Sequence, residues 1–206
     1  LRQVKKLAFS SFKRLVVSRH ATHYQQGTMM QILTRQVEFT TPWFEIVAKR
    51  TAGDSAPYYA LRMQDYVTVV ALTNQNDLVL VRQFRPAVER YTLELPSGHV
   101  EKGETPADAA RRELAEECGF DAPKVELLGA LLSDTGRNEN RLWCYFAPAV
   151  SPLGADYVPE PDVERILVPR AKLPELIASA EFDHALNLAA LMMVVVKYGP
   201  ELLALK

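Results

Sequence analysis

Glu113, Glu116 and Glu117 place three carboxylates within five residues of one short stretch, Arg112-Glu-Leu-Ala-Glu-Glu117. On an α-helix, positions three and four apart are neighbours, so the three would share a face, and like charges at that spacing cost a few tenths of a kcal/mol per pair, roughly. One chemistry that tolerates this is a solvated charged face, with Arg111 and Arg112 relieving the repulsion. The other is a divalent cation. Mg²⁺ takes hard oxygen ligands from carboxylates, water and substrate phosphates. Such an ion turns the repulsion into attraction and prepares a pyrophosphate for attack by water.

The residues around the glutamates predict the helix that must carry them. Thr105 is a good N-cap, Pro106 suits the first helical position, and Asp108 puts a carboxylate near the positive end. Ala107, Ala109, Ala110, Leu114 and Ala115 favour helix, and Gly119 is a natural stop. Upstream, Ser97-Gly98 reads as a loop facing the same side.

The rest of the chain reads as strands and helices without regular alternation, which predicts an α+β or αβα sandwich arrangement. Strand-like runs begin at Val37 and include 44–47, 58–63, 66–72, 78–84 and 91–96. Thr73-Asn-Gln-Asn-Asp77 marks a hairpin between two of them. After the helix come strands over 125–132, 141–147 and 165–168, a Pro-rich loop over 151–161, and helices over 173–179 and 182–198.

The 206 residues, 48% hydrophobic, suffice for one sizeable core or a core with a small satellite. A net charge of −1 points to neither nucleic acid nor a membrane surface. The longest apolar run, Leu188 to Val196, is far short of the roughly 20 residues of a membrane span. Two cysteines, Cys118 and Cys144, are too few for a disulfide framework and fit reduced thiols in a cytoplasmic protein. Residues 1–37 hold seven Lys and Arg, while all 25 acidic residues lie beyond them. That segment predicts a basic amphipathic helix lying on the acidic body or on a partner, with a transit peptide as the alternative. The expected division is a basic, helical segment over 1–36, a small β subdomain over 37–64 and the main domain over 65–206.

The pattern Gly98-x5-Glu104-x7-Arg112-Glu113-Leu114-x-Glu116-Glu117-x-Gly119-Phe120 resembles the Nudix box throughout, with Phe120 at the last apolar position. The resemblance implies an αβα sandwich of the Nudix type and hydrolysis of a nucleoside diphosphate linked to another moiety. It further implies Mg²⁺, or Mn²⁺, held by Glu113, Glu116 and Glu117 with help from the Ser97 carbonyl. Arg112 would orient the glutamates, Glu104 would support the loop, and His99 would be a spacer.

Two flanking stretches, Val81-Arg-Gln-Phe-Arg-Pro86 and Glu94-Leu-Pro-Ser-Gly98, look like the branch that cleaves ADP-ribose and related nucleotide sugars. Thr41-Pro-Trp-Phe44 does too. That branch implies a small N-terminal sheet exchanged within a homodimer. Arg85 is a candidate for gripping a phosphate, with an ordinary ion pair as its other reading. Trp43 either stacks on the nucleobase or belongs to the core or a subunit interface. Tyr58, Arg62 and Glu94 are further substrate-binding candidates. A general base belongs on a mobile loop. Pro159-Glu-Pro-Asp-Val-Glu164 offers Glu160, Glu164 and Asp162. Where the branch often carries Pro before Gly, Thr135 precedes Gly136, which leaves the sugar open; Arg137 and Asn138 are candidates for holding it.

The expected activity is therefore Mg²⁺-dependent cleavage of ADP-ribose or a similar nucleotide sugar to a nucleoside monophosphate and a sugar phosphate. GDP-mannose, a nucleoside triphosphate or capped RNA are alternative substrates, and a nucleotide sensor without catalysis is a third class. No nucleic-acid or membrane partner is expected.

Overall fold

The computed structural model describes residues 31–154 and 157–204. The basic segment over 1–30 lies outside the described residues. Residues 32–36, expected in that helical segment, are strand: β1 (Ile32–Thr40) starts five residues before Val37. The expected boundary at 36 is thus too late, because residues 32–36 pair with β2 (Glu45–Thr51) from Ile32 opposite Thr51 onward. With β3 (Tyr58–Arg62) these form a three-stranded antiparallel sheet.

The central sheet shows how a two-residue period builds two cores at once. It comprises β4 (Tyr66–Thr73), β5 (Asp77–Arg85), β6 (Arg90–Glu94), β7 (Ser97–His99), β8 (Phe120–Asp121), β9 (Glu126–Leu132), β10 (Arg141–Pro152) and β11 (Val163–Pro169). In β4, Val67, Val69 and Ala71 face one side and Val70 and Leu72 the other. The same split separates Val79 and Val81 from Leu78 and Leu80 in β5. In β10 it separates Tyr145 and Ala147 from Leu142, Cys144 and Phe146. Helix α1 (Pro106–Cys118) covers the first face with Ala109, Ala110, Leu114 and Cys118. Leu173 at the start of α2 (Leu173–Ala178), and Ala190, Leu191 and Val194 of α3 (Ala185–Tyr198), cover the second. The result is the expected αβα layering within an α+β fold.

Strands β4 and β10 are parallel, and both lie central to the sheet. Antiparallel pairing then adds β5 and β11 on one side and β9 on the other. The hairpin between β4 and β5 turns at Asn76, φ 64°, where Thr73 Oγ1 accepts the Asp77 N–H at 3.1 Å. Helix α3 starts at Ala185, three residues later than the expected 182, because the His184 side chain accepts the Asn187 N–H and caps it. Ser97 and Gly98, read as loop, form with His99 a short strand that pairs with Tyr66–Thr68 of β4. This pairing brings the loop before α1 against the centre of the sheet.

The small sheet attaches through β3. Leu61 N–H donates to the Arg137 carbonyl at 2.7 Å and its own carbonyl accepts from Glu139 N–H at 2.9 Å. Glu139 also binds Lys49 at 2.6 Å and Arg62 at 3.1 Å, tying two strands of the small sheet to the loop between β9 and β10.

Candidate active site

Helix α1 forms where its caps predicted. Thr105 Oγ1 accepts the Asp108 N–H at 3.2 Å, Pro106 opens the first turn, and Gly119 closes the helix in the left-handed region at φ 66°. The faces of the helix then sort its glutamates. Glu113 and Glu117, one turn apart, lie beside the buried Leu114 and are 8% and 5% exposed. Glu116 is turned outward.

Arg112 sits among the carboxylates as a five-donor fork. Its Nε and Nη2 reach the two oxygens of Glu104 at 3.0 and 3.1 Å, and Nη2 also reaches the His99 carbonyl at 2.8 Å. Its Nη1 donates to Glu113 at 2.8 Å and to Glu116 at 2.9 Å. Glu104, foremost through this hydrogen bonding, is held below the usual carboxylate range, and the Arg112 guanidinium is held firmly protonated. The loop and the helix are thereby locked to one another.

On the other side, the Ser97 N–H donates to Glu117 Oε2 at 3.0 Å, while Ser97 Oγ bonds Thr68 at 2.9 Å and the Leu95 carbonyl at 2.8 Å. Gly98 is required by proximity: any side chain there would collide with the Glu113 carboxylate. A cavity of about 780 Å³ opens over this floor, lined among others by Ser97, Gly98, Glu113, Glu117, Arg85, Gln83 and Glu160. Burial pushes Glu117 up to about 8, against the Ser97 hydrogen bond, and the charges of Glu113 and Glu160 add to the rise. Burial also raises Glu113, with Arg112 opposing.

The donor set fits a hard divalent cation, since every group is a carboxylate or carbonyl oxygen and the buried Glu117 carboxylate is in no ion pair among the described residues. Among the described residues no three of His, Cys, Asp and Glu already converge on one point. Arg112 occupies Glu116 and one oxygen of Glu113.

Arg85 enters the cavity from the end of β5, and Glu94 stands behind it. The pair is bidentate, at 2.9 and 2.7 Å, and Thr92 adds a third bond to Glu94 at 2.6 Å. Glu94 is buried and does not line this cavity; it reaches it only through Arg85. Trp43 lines this cavity and an adjoining one of about 430 Å³, together with Gln64 and His99; the latter also holds Arg62. Arg62 is engaged by Glu45 and Glu139, both at 3.1 Å. Tyr58 lies outside both cavities, near Gly136, at the opposite end of β3 from Arg62.

Of the acidic loop residues, only Glu160 reaches the cavity. Glu164 is paired with Arg82 at 3.2 Å, opposite it in register, on the strand face that leads away from Gln83 and Arg85. Asp162 lies outside the cavity in a left-handed turn, φ 65°. Asn138 donates to Ser133 Oγ at 3.1 Å and lines a smaller cavity beside Ser97 and His99, while Arg137 pairs with Asp134. Sequence reasoning missed Gln64, Gln83, Glu101 and Lys102, and gave His99 no contact role. A signal existed for Gln83, which is two residues from Arg85 and therefore shares its strand face.

A family model described as the NUDIX domain matches residues 63–188. A methanol dehydrogenase activator of Bacillus methanolicus is 34% identical over 99 residues, 48% of this chain and 54% of that protein. An ADP-ribose pyrophosphatase of Bacillus subtilis is 37% identical over 87 residues, 42% and 47% of the two chains. The chain thus spans about half the length of these curated relatives. The crystal structure of an ADP compounds hydrolase superposes with a TM-score of 0.69 at 22% identity, over 84% of this chain and 96% of that one, a likeness of fold.

Proposed function

The chain belongs to the NUDIX family, and on that premise we propose that it hydrolyses the pyrophosphate bond of ADP-ribose or a related nucleoside diphosphate sugar. The observation that carries this reading is one cavity holding Glu113, Glu117, Glu160, Ser97 and Arg85, with Trp43 at its rim. The Bacillus subtilis relative, an ADP-ribose pyrophosphatase, supports the substrate class.

Arg85, braced by Glu94, binds a non-bridging phosphate oxygen, for which its planar fork is suited. Trp43 offers a flat face to the nucleobase. Glu113, Glu117 and the Ser97 carbonyl would hold Mg²⁺ or Mn²⁺, with Glu116 giving up its bond to Arg112 to join them. The chemistry such an ion supplies is neutralisation of the diphosphate and stabilisation of charge on its oxygens. Glu160 takes a proton from the attacking water. The water oxygen bonds to one phosphorus, the bond from that phosphorus to the bridging oxygen breaks, and the bridging oxygen leaves with the other phosphate. The products are a nucleoside monophosphate and a sugar phosphate.

The proposed assembly is a homodimer. Supporting it, Leu33, Val37, Phe39 and Tyr59 of the small sheet are all exposed, a large apolar surface without a partner among the described residues. The described residues contain no helix long and apolar enough to cross a membrane. Cys118 and Cys144 are buried free thiols, which supports the proposed cytoplasmic setting.

A hydrolysis panel with Mg²⁺ tests the activity, comparing ADP-ribose, ADP-glucose, GDP-mannose, dinucleotides and nucleoside triphosphates, each with an EDTA control. Metal-dependent turnover led by ADP-ribose is the expected result. Preference for a triphosphate would replace the substrate class, and binding without EDTA-sensitive turnover would make the chain a sensor.

A further inference from the structure

The chain that leaves β10 at Pro152 returns to the sheet at Val163, and on the way it is fastened to the C-terminal end of α1. Leu153 N–H donates to the Gly119 carbonyl at 2.8 Å. The Tyr157 hydroxyl donates to the Glu116 carbonyl at 3.1 Å. At the far side, Arg165 Nη1 donates to the Cys118 carbonyl at 2.6 Å and its guanidinium lies over the Phe120 ring, 5.2 Å from the centroid. The Glu116 and Cys118 carbonyls belong to the last turn, which has no intrahelical donors of its own.

Tyr157 is the fastening nearest to Glu160, which follows three residues later and lines the cavity with Glu113 and Glu117. Its ring also packs on Gly119. A Cβ at Gly119 would stand 2.6 Å from two ring carbons, so the left-handed glycine that ends the helix also makes the seat for the tyrosine. The glutamates on the helix and the glutamate on the loop are therefore referenced to the same few atoms.

We propose that Tyr157 is a positioning residue: by fastening its loop to the end of α1, it sets the reach of Glu160 into the cavity. The proposal rests on the reading of Glu160 as the general base. Proton transfer from water demands hydrogen-bond reach, and small misplacements of a reacting group reduce rate steeply. The Tyr157 hydroxyl touches neither the cavity nor Arg85, so its effect belongs in turnover and not in substrate binding.

The test is a double-mutant cycle on the full chain with Y157F, E160Q and the double variant, measured with ADP-ribose and Mg²⁺ by steady-state and single-turnover kinetics. Loss of one hydrogen bond predicts that Y157F lowers kcat roughly fivefold, with KM and Tm close to wild type. E160Q is expected to lower kcat about a hundredfold or more. If Tyr157 acts through Glu160, adding Y157F to E160Q slows it no further, because coupled residues do not add. Equal slowing by Y157F in both backgrounds would overturn the proposal while leaving Glu160 as the base. So would a fall in Tm with kcat unchanged, the signature of a helix cap alone. Wild-type turnover by E160Q would instead remove Glu160 from the mechanism, and the role of Tyr157 with it.

Discussion

Arg85 and Glu94 form a two-pronged ion pair, at 2.9 and 2.7 Å, in which the carboxylate is buried and the guanidinium looks into the cavity. Burial alone would raise the Glu94 pKa, but hydrogen bonds from Arg85 and Thr92 outweigh it and hold it below the usual carboxylate range. A depressed folded-state pKa contributes stability at pH above the unfolded value and loses it as pH falls through the folded one. Glu94→Gln is therefore expected to cost about 1–3 kcal/mol at neutral pH. Its Tm should then fall less than that of the wild type as pH drops below about 4.5. Because Arg85 loses its brace, KM for the nucleotide sugar should rise. Thermal melts across pH and steady-state kinetics check both.

Glu117 behaves in the opposite sense. Its folded pKa is pushed up to about 8, so its contribution to stability is present below the unfolded value and is lost as pH rises through 8. Without added cation, Glu117→Gln should match the wild type near pH 4.5 and melt above it at pH 8. With Mg²⁺, the wild type should gain Tm and the variant should not. Turnover by the variant should fall about a hundredfold or more. Wild-type turnover in Glu117→Gln would sink the assignment of Glu117 as a metal ligand.

Trp43 is 73% exposed, so replacing it by Ala should change stability by no more than about 0.5 kcal/mol. Stacking on a base is worth about 1–3 kcal/mol. The substitution should therefore raise KM about fivefold or more for adenine nucleotides, with little change in kcat. An unchanged KM would move Trp43 from the substrate to the subunit interface.

Gly119 has φ 66° and the Tyr157 ring where a side chain would go. Gly119→Ala should cost about 1–2 kcal/mol for the left-handed backbone alone, plus whatever the displaced ring adds. A chemical-denaturation midpoint measures it. The same variant should slow turnover, since the ring that must move belongs to the loop carrying Glu160.

The box from Gly98 to Phe120 was legible because its information is local. Helical spacing places Glu113 one turn from Glu117, and Thr105 and Gly119 bound the helix. What depended on distant partners was not legible. Glu94 and Arg85 are nine residues apart, and only the β5–β6 pairing turns a pair of substrate candidates into a cavity-lining group and its brace. Glu160 and Glu164 have the same chemistry in the same acidic stretch. The register that sets Glu164 opposite Arg82 sends it to the wrong face of the sheet, while the fastening at Tyr157 leaves Glu160 over the cavity. Local spacing was enough to read the family, the helix and the kind of ligand its carboxylates suit. Which carboxylate faces which cation was not in it, because burial, register and charge pairing arise between segments that no local spacing connects.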